Sequence, residues 1–191
     1  MVDLELRNDR ELYNLLRSPN KAERERVFVF IYEKYGSRVR EYCLKSYNFD
    51  KNGEDAFHDT IVRFYELIDK YEEVTNIPAF LIRIARNIIL NNKKRNKAIE
   101  YSSQEVEERA KFEDEDDESL DDNDLKLQKK ISKAIDNLTP EYKEPFLLHL
   151  YAEMSYQEIA DELHLTVPTV RNRIMRAKIR LRNLLTPYIQ Q

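Results

Sequence analysis

The stretch SYQEIADELHLTVPTVRNRIMRAKIRL, Ser155 to Leu181, decides how the chain is read. Ser155 followed by Glu158 is a capping box, in which side chains and backbone satisfy the open donors of a helix start. Ile159, Ala160 and Leu163 make a short apolar face, His164 marks the end of that helix, and Leu165 is placed to plug the turn. Thr166 caps the next helix, whose first turn tolerates Pro168. Val170, Ile174, Ala177 and Leu181 step by four, three and four, so they face the first helix. Thr169, Arg171, Asn172, Arg173 and Arg176 project from the other side, followed by Lys178, Arg180 and Arg182. From Leu165 to Arg182 there are six basic residues and no acidic one. Two short helices joined by a tight turn, the second apolar inside and basic outside, describe a helix-turn-helix. Its second helix enters the major groove, where Arg pairs with guanine, Asn with adenine, and Thr meets a thymine methyl or a phosphate. The candidate contacts are Thr166, Thr169, Arg171, Asn172, Arg173, Arg176 and Lys178. A basic helix, solvated outside and packed inside, is the competing reading of the same spacing.

Working outward, Leu127, Ile131, Ile135 and Leu138 repeat at helical spacing ahead of this motif. Thr139-Pro140 then gives an N-cap followed by proline at the first helical position, and Pro145 falls inside the helix that follows. Further upstream the composition changes. Thirteen carboxylates face two cations between Glu100 and Asp124, a local charge of −11, so the other 166 residues carry +7 within a chain total of −4. Too few apolar groups and too much like charge make that stretch an expected flexible linker.

The segment before the linker reads as helices. Val27, Phe28, Phe30, Ile31, Tyr35, Val39 and Tyr42 form one apolar stripe, which Gly36 interrupts without ending the helix. After the polar connection SYNFDKNGED, a second helix carries Ala56, Phe57, Ile61, Phe64, Tyr65 and Ile68. Pro78 starts a third, with Phe80, Leu81, Ile84, Ala85, Ile88 and Ile89 on its apolar side. From Val74 to Ile99 there is again no acidic residue, and there are six cations. Arg83, Arg86 and Asn87 share a helical face, with Lys93 and Lys94 further along. Tyr71 and Phe80 offer rings for stacking. Cations beside aromatics suit single-stranded nucleic acid; a solvated helix end with both rings in the core is the alternative. Glu54, Asp55 and Asp59 give an acidic face on the second helix, which reads as a protein-docking surface or plain solvated surface. The residues that would complete a metal site or a general acid–base pair are missing around it.

Composition narrows the classes further. Of 191 residues, 41 % are hydrophobic and 36 % charged, with two glycines and no tryptophan. So few glycines argue against tightly turned sheets and against a Gly-rich phosphate loop. Cys43 is the single cysteine, which excludes an intrachain disulfide and a four-cysteine zinc site. No signal-peptide pattern opens the chain and no apolar stretch is long enough to span a membrane. The expectation is an all-α, cytoplasmic protein of two small helical domains, an N-terminal bundle over 1–99 and a helix-turn-helix domain over 125–191, joined by an acidic linker over 100–124. No membrane insertion, cofactor, metal or catalytic residue is expected. Three rivals stand beside this reading: a ligand-responsive helix-turn-helix regulator, a helical adaptor that binds only proteins, and a nucleic-acid enzyme using Asp55 and Asp59 with a metal, against which the missing third ligand argues.

At this point the chain resembles the extracytoplasmic-function group of bacterial RNA polymerase sigma factors, over nearly everything except the acidic linker and the first dozen or so residues. Three blocks carry the resemblance: EDAFHDTIVRFYE (Glu54–Glu66), AFLIRIARNIILNNKKRNK (Ala79–Lys97) and the stretch from Leu138 to Leu181. The resemblance implies that Asp55 and Asp59 dock on the beta-prime clamp of core RNA polymerase. It also implies that Tyr71, Arg83, Arg86, Asn87, Lys93 and Lys94 open and hold the minus-10 element, and that the C-terminal motif reads the minus-35 element. Implied partners are core RNA polymerase (beta-prime clamp and beta flap), promoter DNA and, as in many relatives, an anti-sigma factor. The sequence departs from the family pattern at His164, where glycine is usual, at Phe80, where tryptophan is usual, and at Asn91 and His58.

Overall fold

Helix α1 (Asp9–Leu16) opens with a capping box: the Asn8 side chain accepts from the Glu11 backbone N–H and the Glu11 carboxylate accepts from that of Asn8. Helix α2 (Lys21–Ser46) is capped by Asn20 and runs unbroken through Gly36. A Cβ on Gly36 would meet only the Tyr32 side chain at ordinary contact distance, so the glycine is no breaker there. Helix α3 (Asn52–Leu67) follows, and Gly53 permits its close approach to α2. A Cβ at Gly53 would lie 2.9 Å from the Leu44 Cα. Helix α4 (Ile77–Ser102) starts where Asn76 accepts from the Ala79 N–H, while Asp9 accepts both from the Ile77 N–H and from the Tyr35 hydroxyl. One carboxylate thus ties α1, α2 and α4 together.

The second half holds α5 (Asn123–Asp136), α6 (Pro140–Tyr151), α7 (Tyr156–Leu163) and α8 (Val167–Ile189). The computed structural model describes residues 4–47, 51–102 and 123–189, and among them there are eight α-helices and no strand. An all-helical chain was expected and is found. In the first half α2, α3 and α4 pack mutually, with α1 on α2 and α4; in the second, α8 packs on α5, α6 and α7. The two halves meet where α2 and α4 contact α6 and where α2 contacts α5.

Apolar burial follows the periodicities. Val27, Ile31 and Val39 of α2, Phe57 and Phe64 of α3, and Leu81, Ile84 and Ala85 of α4 are buried together. Ala134, Ile135, Leu138, Leu148, Met154 and Ile159 receive the inner face of α8. Each fully buried Leu or Ile contributes about 1.5–3 kcal/mol relative to exposure. Cys43 belongs to this core, and burial pushes its thiol pKa up to about 12.

Several local expectations need correction. The polar connection after α2 is shorter than SYNFDKNGED, because α2 keeps Ser46 and α3 already includes Asn52 to Asp55. Thr139 holds the N-cap position of α6 but makes no capping hydrogen bond with its side chain. Ile131 is more than a third exposed, although it shares a helical period with buried Ile135 and Leu138. Helix α4 continues to Ser102 and α5 begins at Asn123, so both ends of the expected linker are helical. The remainder of the acidic stretch, 103–122, lies outside the described residues.

Candidate nucleic-acid interface

The helix-turn-helix forms by purely local chemistry. The Ser155 hydroxyl accepts from the Glu158 N–H and the Glu158 carboxylate accepts from the Ser155 N–H, which starts α7. His164 ends it in the left-handed region at φ 54° and ψ 45°. The Leu165 N–H then donates to the Ala160 carbonyl, closing the turn, and the half-buried Leu165 side chain packs on the core beneath. Thr166 Oγ1 accepts from the Thr169 N–H and lies 2.8 Å from Thr169 Oγ1. Val170, Ile174, Ala177 and Leu181 are all buried, so the inner face of α8 is the one the spacing selected.

A left-handed conformation costs a residue with a Cβ roughly 1–2 kcal/mol, and glycine escapes this. Glycine also loses more chain entropy on folding, so the net gain from His164→Gly should be about 0.5–1 kcal/mol. A rise in the thermal midpoint of a few degrees is expected; a fall would show that the His164 ring supports the turn.

The outer face of α8 is open. Arg171, Asn172, Arg176 and Lys178 are exposed, and Arg173 and Thr169 are half-buried. Among the described residues none of these three arginines forms a salt bridge. Arg176 is instead held in place by uncharged groups, donating through Nε to Asn172 Oδ1 at 3.3 Å and through Nη1 to the Tyr142 hydroxyl at 3.5 Å. The Arg180 guanidinium lies 4.5 Å from the centroid of the Tyr142 ring. A row of partly preorganised guanidinium groups with no carboxylate partner among the described residues is suited to phosphate and guanine edges. Met175 and Ile179 are exposed on the same helix, an apolar component the basic pattern did not announce.

The first half is different. Tyr71 is 47 % exposed, with its ring edge-on to Phe80 at 4.9 Å. Phe80 in turn is wedged against Tyr13 and Phe64. One ring therefore faces solvent and the other is scaffold. Asn87, Lys93 and Lys94 are exposed; Lys93 donates to the Ser46 carbonyl and sits over the Tyr47 ring. Arg86, expected on the same open face as Asn87, is not open, whereas Arg83 keeps 43 % of its side chain exposed beside a carboxylate. Arg86 donates to Glu144 at 2.8 Å and to Glu162 at 3.1 Å, and only 16 % of its side chain is exposed. Arg83 lies 3.2 Å from Glu162. Burial opposes the charge on Arg86, but the Glu144 carboxylate outweighs it, so the guanidinium pKa is raised.

On α3, Asp55 and Asp59 are exposed and one turn apart, followed by exposed Val62. Glu54 does not belong with them, because it is bidentate to Arg40 of α2. Val29 and Tyr32 of α2 and Val62 and Tyr65 of α3 are also exposed. Sequence reasoning placed Tyr65 inside and left the other three out of any site. The signal was present in the excess of apolar residues on α2 and α3 over what one buried stripe needs.

Comparison with known proteins gives a consistent picture. Residues 31–99 match the family profile described as sigma-70 region 2, and residues 128–181 match the one described as sigma-70, region 4. The chain is 27 % identical over 155 residues to the ECF RNA polymerase sigma factor SigE of Mycolicibacterium smegmatis, covering 81 % of this chain and 60 % of that protein. It is 26 % identical over 166 residues to the ECF RNA polymerase sigma factor SigW of Bacillus subtilis, covering 83 % of this chain and 89 % of that one. Two solved structures share the fold. One is the sigma factor RpoE in complex with the anti-sigma factor NepR from Bartonella quintana, with a TM-score of 0.62 and 24 % identity over 83 % of this chain and 96 % of that chain. The other is CnrH in complex with the cytosolic domain of CnrY, with a TM-score of 0.60 and 21 % identity over 94 % and 98 %. Matched in two separate regions by profiles of one family, and aligned over four-fifths of its length with two proteins described as ECF sigma factors, the chain belongs to the sigma-70 family and is similar to its ECF members.

Proposed function

We propose that this chain binds core RNA polymerase and directs it to promoters by contacting the minus-10 and minus-35 elements. The observation that carries this reading is the uncovered guanidinium face of α8 on a capped helix-turn-helix, matched by the region 4 profile. In this reading residues 1–99 dock on polymerase and hold the minus-10 strand, and 125–191 insert α8 into the minus-35 major groove. Thr166, Thr169, Arg171, Asn172, Arg173, Arg176 and Lys178 meet the duplex. Tyr71, with its exposed ring, stacks on an unpaired base, while Arg83, Arg86, Asn87, Lys93 and Lys94 grip phosphates. The acidic linker over 100–124 tethers the two contacts, so each raises the effective concentration of the other. Asp55 and Asp59, with Val62 and the apolar residues beside them, dock on the beta-prime clamp; the second half meets the beta flap. The chain performs no catalytic step of its own, acts in the cytoplasm where the polymerase works, and accepts an anti-sigma factor as a regulator.

The test is transcription with purified chain, core polymerase and a library of genomic promoter fragments. Promoter-specific transcripts that depend on the chain are the expected result. Tight promoter binding without polymerase, and no transcripts with it, would instead fit a ligand-responsive regulator. Asp55→Lys/Asp59→Lys should weaken polymerase binding by at least about tenfold, most strongly at low salt, since charge complementarity at an exposed rim is screened by ions. Unchanged affinity in a pull-down titration would remove the two carboxylates from the docking face.

A further inference from the structure

The two halves leave space between them. Where α2, α4 and α6 meet there is a cleft of about 600 Å³, within the range usual for small-molecule sites. Its floor is apolar: Tyr42, Ile89, Leu138 and Leu147 are buried in the wall, and Leu90 is 36 % exposed. Tyr47 adds a second ring, with the Lys93 ammonium 5.2 Å from its centroid. Among the described residues, the cations Arg86, Lys93 and Lys143 and the carboxylates Asp136 and Glu144 line the cleft, which leaves one positive charge in excess. The geometry points to a binding site for a small planar aromatic molecule that carries one negative charge. Its ring lies against Tyr42, Ile89 and Leu147, and its anionic group lies between Lys93 and Lys143. The site stands apart from the sigma-factor reading, because neither its shape nor its charges involve polymerase or promoter DNA.

The excess charge is localised. Arg86 is held by Glu144 and Glu162, and Lys143, only 9 % exposed, is held by Asp136 at 3.0 Å. Lys93 forms no salt bridge among the described residues; its Nζ donates to the Ser46 carbonyl at 2.8 Å. A carbonyl and a ring face satisfy that ammonium as a donor but do not neutralise it. Burial lowers the Lys93 pKa, the Lys143 charge lowers it further, and Glu144 offsets only part of this. Two ammonium groups brought together from α4 and α6 therefore gain from an anion placed between them. The ring follows from the same wall. A flat aromatic ligand buries its faces against tyrosine and aliphatic side chains, and a tyrosine wall loses few rotamers in receiving it. An uncharged ring would leave the ammonium groups facing each other, and a small inorganic anion would leave the apolar floor wet. Ring and charge are both needed.

Titration of the full chain with 2-naphthoate and with cyclic AMP, in the absence of DNA, tests this. The first carries its charge as a carboxylate and the second as a phosphodiester, so the pair distinguishes the two sources of the anionic group. Backbone amide NMR shifts locate the ligand, and a dissociation constant of about 1 mM or tighter is expected for at least one probe. 2-Naphthamide, with the ring of naphthoate and no charge, should bind at least about tenfold more weakly. Arg86 and Lys93 are assigned above to promoter phosphates, so neither is varied. Lys143→Gln should weaken the anionic probe about tenfold. That change also takes a cation from Asp136, so Leu90→Glu is the second variant and decides alone if Lys143→Gln does not fold. At a partly exposed position it cancels the excess charge without emptying the core, and should weaken the probe at least about fivefold. Absence of shifts at the cleft with both probes overturns the proposal. Equal affinity for naphthoate and naphthamide does so too, since that pattern reports an apolar surface alone. Unchanged affinity in Leu90→Glu, or in a folded Lys143→Gln, places the anion elsewhere and overturns it as well.

Discussion

An Arg171→Ala/Arg176→Ala variant should lose most promoter recognition by the second half while remaining fully folded. Both side chains are exposed, and neither forms a salt bridge among the described residues, so truncation removes little from the core. Arg176 gives up only two long hydrogen bonds, to Asn172 and Tyr142. Against a cognate site the loss is large. Each good bidentate arginine–guanine pair contributes about 1–3 kcal/mol of discrimination, so two of them amount to on the order of a hundredfold or more. The way the loss is distributed identifies the contact. A base contact lowers affinity for the cognate minus-35 duplex and spares unrelated DNA. A phosphate contact weakens all sequences alike and reduces the salt dependence by about one counterion per side chain. Fluorescence anisotropy of holoenzyme on cognate and scrambled minus-35 duplexes, at several salt concentrations, measures both. Affinity within twofold of wild type on every duplex would take the outer face of α8 out of the groove.

Ile174→Ala is the second large effect, and it acts through the opposite face of the same helix. Ile174 is 1 % exposed, between buried Val170 and Ala177. Removing its branch leaves a cavity in a close-packed site and costs about 2–5 kcal/mol. Small domains are stable by only about 5–15 kcal/mol, so this truncation consumes a large part of what holds α8 in place. Urea denaturation followed by circular dichroism should show a transition at lower denaturant. The two-helix motif should lose its DNA affinity in step with its structure. A shift below about 0.5 kcal/mol would mean that the site collapses around the missing methyl groups, contrary to the packing described. The two variants together separate recognition from scaffold, since one should change binding without stability and the other both.

Much of the helix-turn-helix was legible in the sequence because each of its determinants acts within one turn. Ser155 and Glu158 are three residues apart, His164 and Leu165 are adjacent, and the buried stripe repeats every three or four positions. Helix α1 was missed although its capping box, Asn8 with Glu11, is of the same kind. Its apolar stripe, Leu12, Tyr13 and Leu16, was passed over because it spans little more than one turn, and Asp9 shows its role only when Tyr35 and Ile77 come to meet it. On α3 the acidic pair Asp55 and Asp59 was readable, while the loss of Glu54 to Arg40 of the neighbouring helix was not.

Capping, turn conformation and the period of apolar residues are short-range, so they specify most of the helices and most of their inner faces before any helix meets another. The order of the two regions and the basic character of α4 and α8 are likewise properties of the chain itself. Which cations stay open is a different kind of fact. Arg86 reaches Glu144 across 58 residues and Glu162 across 76, and Arg38 reaches Glu153 across 115. A charge at such a separation is invisible to any local pattern, and its partner depends on how two separately folded surfaces dock. Only the packed molecule therefore distinguishes Arg171 and Arg176 of α8, which face solvent, from Arg83 and Arg86 of α4, which pair with the chain's own carboxylates.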